Sequence, residues 1–280
     1  MEVPLGSGPY ALAAGPDGAL WVTPVHAGQI ARVSVEGEVE MHDLGAPGCR
    51  PSIIVAGSDG ALWFTRSGDD RIGRITTAGN HTTFQLPDGS APFGLAVGPD
   101  QALWYTAMGT ERVGRLTPAG EIEEFPAPGM PSMIASGPDG ALWFTLNQGN
   151  AIGRIEINGA MTTRTLETAK AGPVGITGTH DGAVWFTELL ADKLGRIPSN
   201  DAIQELPLPE GSKPHAVIAA QADGVWVSLW GANAIAHVSD DGEYAQIDLP
   251  PGSEPHGLAL GPDHNLWVAL ESGSLRRIDG

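Results

Sequence analysis

A tryptophan returns at Trp21, Trp63, Trp104, Trp143, Trp185, Trp226 and Trp267, and a proline stands twelve residues before each one, from Pro9 and Pro51 through to Pro255. The distance inside the unit never changes, whereas the step between tryptophans drifts between 39 and 42 residues. Insertions are therefore confined to the connections, and the chain is one motif written seven times. Within each unit, Val, Ile, Leu, Trp and Phe form runs of four to six bounded by Gly, Pro and Asp, and no unit shows apolar residues at helical spacing. Asp-Gly at 17-18, 59-60, 139-140, 181-182 and 223-224 joins the first two runs with the dipeptide that tolerates the positive φ of a tight turn. Asp100-Gln101 and Asp263-His264 are the exceptions.

Four strand-like runs per unit at this period predict an all-β fold, a propeller of seven four-stranded blades around a central channel. The ends of the chain support it. The last repeat stops at its third run, Leu275 to Ile278, and Glu2 to Tyr10 aligns with Glu205 to His215, so the amino-terminal strand is expected to complete blade seven and close the ring. A ring closed by both termini cannot be divided, which makes residues 1–280 one domain.

The formal net charge of -18 argues against nucleic acid or an anionic membrane as partner and for a soluble monomer. The chain opens without a basic segment followed by an apolar core, and no run approaches membrane-spanning length, so a cytoplasmic location is expected. Cys49 is the only cysteine, which rules out an intrachain disulfide.

Chemistry in a repeated scaffold should appear where single repeats break the pattern. The start of the first strand and the end of the second share one rim of an antiparallel blade. Two sets of positions meet there: the residues flanking each proline, and those four past each tryptophan. Ionisable side chains gather in blades six and seven. Glu254 and His256, two apart on an extended segment, are expected to point the same way, with Glu271 beside them. His215 and Trp230 come from blade six and Tyr10 enters from blade one. Two carboxylates in such a group can hold a hard divalent cation and leave an imidazole free for proton transfer. Any one of these residues alone is better explained as a hydrogen-bonded loop residue, and the remaining histidines (His26, His42, His81, His180, His237 and His264) receive that explanation. The arginines Arg32, Arg74, Arg115, Arg154, Arg196 and Arg277 recur in nearly every blade and are read as scaffold.

The repeat L-W-F-T…I-G-R-I, with Gly8-Pro9-Tyr10, Lys213-Pro214-His215, Trp230-Gly231-Ala232-Asn233, and Glu254-Pro255-His256-Gly257 followed by Glu271, resembles the virginiamycin B lyase family, the streptogramin B lyases. The resemblance covers essentially the whole chain. It implies an enzyme that linearises cyclic depsipeptide antibiotics by elimination, a resistance function, with magnesium bound by two glutamates. Carried over by position, Glu254 and Glu271 are the implied metal ligands and His256 the proton-transferring residue. His215 is the implied substrate contact, and Tyr10 and Trp230 lie on the same rim as flat apolar surfaces. One departure stands out: the family's W-F-T-E glutamate survives only as Glu188, with Pro24, Arg66, Ala107, Leu146, Leu229 and Leu270 at the equivalent positions. A ligand-binding propeller without catalysis and a metal-dependent lactone or ester hydrolase are the competing functions, since fold alone does not decide among them.

Overall fold

The computed structural model of the chain describes residues 1–6, 8–199 and 202–279. Seven antiparallel sheets of four strands each are arranged as a propeller, with no helix among the described residues. Blade one runs outward through Pro9–Ala14, Leu20–Pro24, Gln29–Val33 and Val39–Asp43. Blade seven is built from Pro255–Leu260, Leu266–Leu270 and Ser274–Ile278, and its outermost strand is Glu2–Pro4 from the other end of the chain. Glu2 pairs with Arg276 and Pro4 with Ser274, so the amino terminus closes the ring as expected. The Ser274 hydroxyl donates to the Glu2 carboxylate at 2.7 Å and fixes that register.

The second strand of each blade is covered on both faces by neighbouring sheets, which is why Leu62–Arg66 and Leu142–Leu146 read as continuous runs rather than alternating ones. Outermost strands such as His81–Gln85 are largely exposed and polar. Six of the seven repeat tryptophans are between 0% and 3% exposed. Truncating such a side chain to alanine costs about 3–5 kcal/mol through lost burial and the cavity left behind.

Residue choice within the repeat follows from contacts across each sheet. Phe64, Tyr105, Phe144 and Phe186 lie opposite Gly73, Gly114, Gly153 and Gly195, where a Cβ would sit within 2.0–2.2 Å of the ring. The ring thus demands the glycine. Where the ring is replaced by Val22 or Val227, its partner becomes Ala31 or Ala236.

The recurring arginines are scaffold. In blade four, Asp139 accepts the Trp143 indole N–H at 3.0 Å and the Arg154 Nε–H at 2.6 Å. The same carboxylate clasp forms in blades one to three. It holds these aspartates below the usual carboxylate range: hydrogen bonds from tryptophan and arginine outweigh the desolvation that is the largest single influence. Blades are stitched to one another by second-strand threonines. Thr145 donates to Val174 O at 2.8 Å and Thr187 to His215 O at 2.9 Å. Gln101 and His264, the two breaks in the Asp-Gly pattern, adopt φ of 63° and 62°, the left-handed conformation that glycine supplies elsewhere.

Candidate active site

Each innermost strand is entered through a residue with φ between 44° and 61°: Gly8, Arg50, Ala91, Met130, Gly172, Lys213 and Glu254. The carbonyl of that residue accepts the N–H of the residue four past the tryptophan. Val25 thus bonds Gly8 at 3.1 Å, Trp230 bonds Lys213 at 3.2 Å and Glu271 bonds Glu254 at 3.0 Å. The two sets of positions therefore share one rim.

The left-handed turn corrects one expectation. Glu254 is not on an extended segment with His256, because its φ is 50° and strand pairing skips from Pro255 to Leu258 through a bulge. Simple alternation of side chains fails across such a feature. Glu254 instead lines a shallow cavity of about 250 Å³ with Lys213, Trp230 and Asn233, and its N–H donates to Asn233 Oδ1 at 3.1 Å.

His256 is the centre of the rim. It is buried, at 7% exposure, and its Nε2–H donates to Glu271 Oε2 at 2.7 Å. Its ring packs at 4.6 Å edge-on against His215, at 4.8 Å against Tyr10 and at 6.3 Å from Trp230, measured between centroids. The Tyr10 hydroxyl stands 3.5 Å from His215 Nε2, and Phe93 meets the Tyr10 ring edge-on at 6.1 Å. Lys213 Nζ lies over the Trp230 ring at 5.1 Å. Below this layer the innermost strands of all seven blades enclose a channel of about 200 Å³ with apolar walls, onto which Tyr10 and His215 open.

Burial sets the protonation states. It pushes the His256 imidazole below its ordinary value, and the charge of Glu271, its hydrogen bond and the charge of Glu254 only partly restore it. His256 is neutral near pH 7. His215, whose exposed surface faces the channel lumen rather than bulk water, is pushed down to about 3 by burial and by the neighbouring imidazole. Tyr10 is held protonated by burial and then by the Glu271 charge. The Nδ1 atoms of both histidines and the Trp230 indole nitrogen are buried without a hydrogen-bond partner.

The structure thus brings His256, His215, Tyr10, Trp230 and Glu271 together and sets Glu254 beside them in the adjoining groove. It also adds His26, whose Nε2 is 3.6 Å from Glu271 Oε1. The sequence signal for His26 was its place directly after Val25, one of the rim positions. Among the described residues no group of three or more His, Cys, Asp and Glu is poised as a metal cage. Magnesium needs no such cage, since it keeps several waters and takes one or two carboxylates. Glu254 and Glu271, both within electrostatic reach of His256 and both open to solvent, fit that donor set.

The sequence profile of the virginiamycin B lyase family matches residues 1–278. The chain belongs to this family. A virginiamycin B lyase of Mycolicibacterium smegmatis is 63% identical over 53 residues, a match spanning 19% of this chain and 18% of that relative. Among solved structures, the selenomethionine-substituted virginiamycin B lyase of Staphylococcus aureus superimposes with a TM-score of 0.94 at 35% identity, covering 99% of this chain and 97% of the other. A catalytically inactive histidine-to-alanine variant of the same Staphylococcus aureus lyase, solved with quinupristin, gives 0.93 at 35% identity over 98% and 97% of the two chains. The whole propeller of this lyase family, and not a single blade, is shared.

Proposed function

We propose that this protein is a streptogramin B lyase that inactivates cyclic depsipeptide antibiotics by opening the ring at its ester linkage, acting as a cytoplasmic monomer. The observation that carries the proposal is a neutral, buried His256 bonded to Glu271 and walled by Tyr10, His215 and Trp230, on a chain whose full length matches the family. The inactive variant solved with quinupristin, itself a histidine replacement, supports a histidine-centred reaction on such a rim.

The reaction is a β-elimination. The Cα–H bond of the threonyl residue breaks as His256 takes the proton, its electron pair forms the Cα–Cβ double bond, and the Cβ–O bond breaks to release the ester carboxylate. No water is consumed. His256 suits this task because burial keeps it unprotonated at neutral pH, and Glu271 stabilises the imidazolium once the proton arrives. With the proton held on Nε2 by Glu271, the unpartnered Nδ1 is the nitrogen free to act as the base. Trp230 and Tyr10 offer flat apolar surface to the aromatic groups of the antibiotic, and His215, held neutral, positions substrate by hydrogen bonding rather than charge. Magnesium held by Glu254 and Glu271 would supply electrophilic polarisation of a carbonyl oxygen as charge develops on it.

Steady-state kinetics with quinupristin test the assignment. His256→Ala should abolish turnover with substrate affinity retained, whereas His215→Ala should chiefly raise KM. Near-wild-type turnover in folded His256→Ala would remove His256 from the mechanism.

A further inference from the structure

Blade six breaks the scaffold clasp on the face opposite the rim. Six blades carry an aspartate four residues before the repeat tryptophan and an arginine eleven after it in all but blade seven, where the arginine is ten after. The two pair in every case, down to Arg196 with Asp181 at 2.5 Å and Arg277 with Asp263 at 3.7 Å. In blade six the aspartate position is Ala222 and the arginine position is His237. Asp223 is displaced by one residue, and its backbone carbonyl, not its carboxylate, accepts the His237 Nε2–H at 2.8 Å.

Trp226 is consequently the one repeat tryptophan that is only half-buried, and its indole N–H has no acceptor among the described residues. A cavity of about 270 Å³ opens there, lined by Ala222, Trp226 and His237 and floored by Ile247, Leu266 and Ile278. Gln221, whose amide nitrogen reaches His264 Nδ1 at 3.4 Å, stands at its edge.

We infer that this cavity is a second binding site for a small carboxylate with an aromatic or aliphatic body, whose carboxylate takes the Trp226 N–H as the aspartate does in blades one to four and seven. The chemistry follows from the scaffold. The indole N–H at this position is without an acceptor, the His237 imidazole and the Gln221 amide stand beside it, and the floor is apolar. Of the neighbouring acids, Asp279 is tied to Arg277 Nε at 2.8 Å, and Asp223 Oδ1 accepts the Asp240 N–H at 3.2 Å. The site lies at the far end of the sheet from His256, so its occupant is distinct from the substrate of the rim.

Titration with phenylacetate, followed through the indole N–H resonances of the eight tryptophans, tests the inference. The Trp226 signal, identified by its loss in Trp226→Phe, should shift saturably while the Trp230 signal stays still. Ala222→Asp supplies an internal carboxylate and should weaken phenylacetate binding at least tenfold while leaving quinupristin turnover unchanged. Trp226→Phe keeps an aromatic ring without the N–H donor and should weaken phenylacetate binding as well, read by isothermal titration calorimetry because its own indole signal is gone, which preserves the test if Ala222→Asp misfolds. Absence of a saturable Trp226 shift overturns the site, and so does binding that neither variant reduces. Tighter binding of 2-phenylethylamine than of phenylacetate overturns the carboxylate assignment.

Discussion

Glu188 is the only ionisable acid among the repeat positions that follow W-F-T, and its carboxylate is fully buried with neither oxygen hydrogen-bonded. Burial, reinforced by the charge of Glu205 and opposed by Lys193, raises its pKa from 4.5 to about 7. The sign of the linkage follows. Because the folded value lies above the unfolded one, the native state holds the proton more tightly, and stability present below pH 4.5 is lost as pH rises toward 7. At one pKa unit per 1.36 kcal/mol, the loss above pH 7 reaches about 3 kcal/mol. Glu188→Gln keeps the shape and cannot ionise. Its advantage over wild type should therefore be small at pH 4.5 and grow to a rise in Tm of roughly 5–10 °C at pH 8. Glu188→Leu should follow the same trend, since Leu146, Leu229 and Leu270 occupy the equivalent buried positions. Thermal denaturation by circular dichroism across this pH range is the assay. A Tm difference that stays constant from pH 4.5 to 8 would refute the claim that an unpartnered buried charge is the cause.

Gly153→Ala should destabilise the protein by about 1–3 kcal/mol, because the new Cβ falls 2.1 Å from the Phe144 ring; adding Phe144→Val should recover part of that loss in denaturant titrations, as the Val22 and Ala31 pair implies. Calorimetry should detect magnesium binding to the wild type and a clear weakening in Glu254→Gln with Glu271→Gln, in a ring that remains folded; identical binding in both proteins would contradict the ligand assignment.

The ring, the blade count and the closure by Glu2–Pro4 were legible because they depend on spacing, and the Trp–Pro distance of twelve residues survives every insertion. The rim was legible for a related reason: antiparallel pairing alone dictates that Glu254 and Glu271 lie side by side in the backbone. Side-chain direction was harder. The left-handed φ of Glu254 follows from a bulged entry common to all blades, and nothing in Glu254-Pro255-His256 distinguishes that turn from an extended strand. His26 was missed because its partner, Glu271, lies across the ring closure and far away in sequence. The open Trp226 was not legible: Asp223-Gly224 reads as a regular turn and His237 as a loop histidine, and only the clasp in the other blades shows what Ala222 and His237 remove.

The mass of the product formed from quinupristin tests the central claim most directly. Elimination rearranges the substrate into a linear chain with a dehydroamino acid at one end, so wild-type protein should yield a ring-opened isomer of unchanged mass, and His256→Ala should yield none. A product heavier by one water would mean ester hydrolysis and would contradict a lyase mechanism centred on His256.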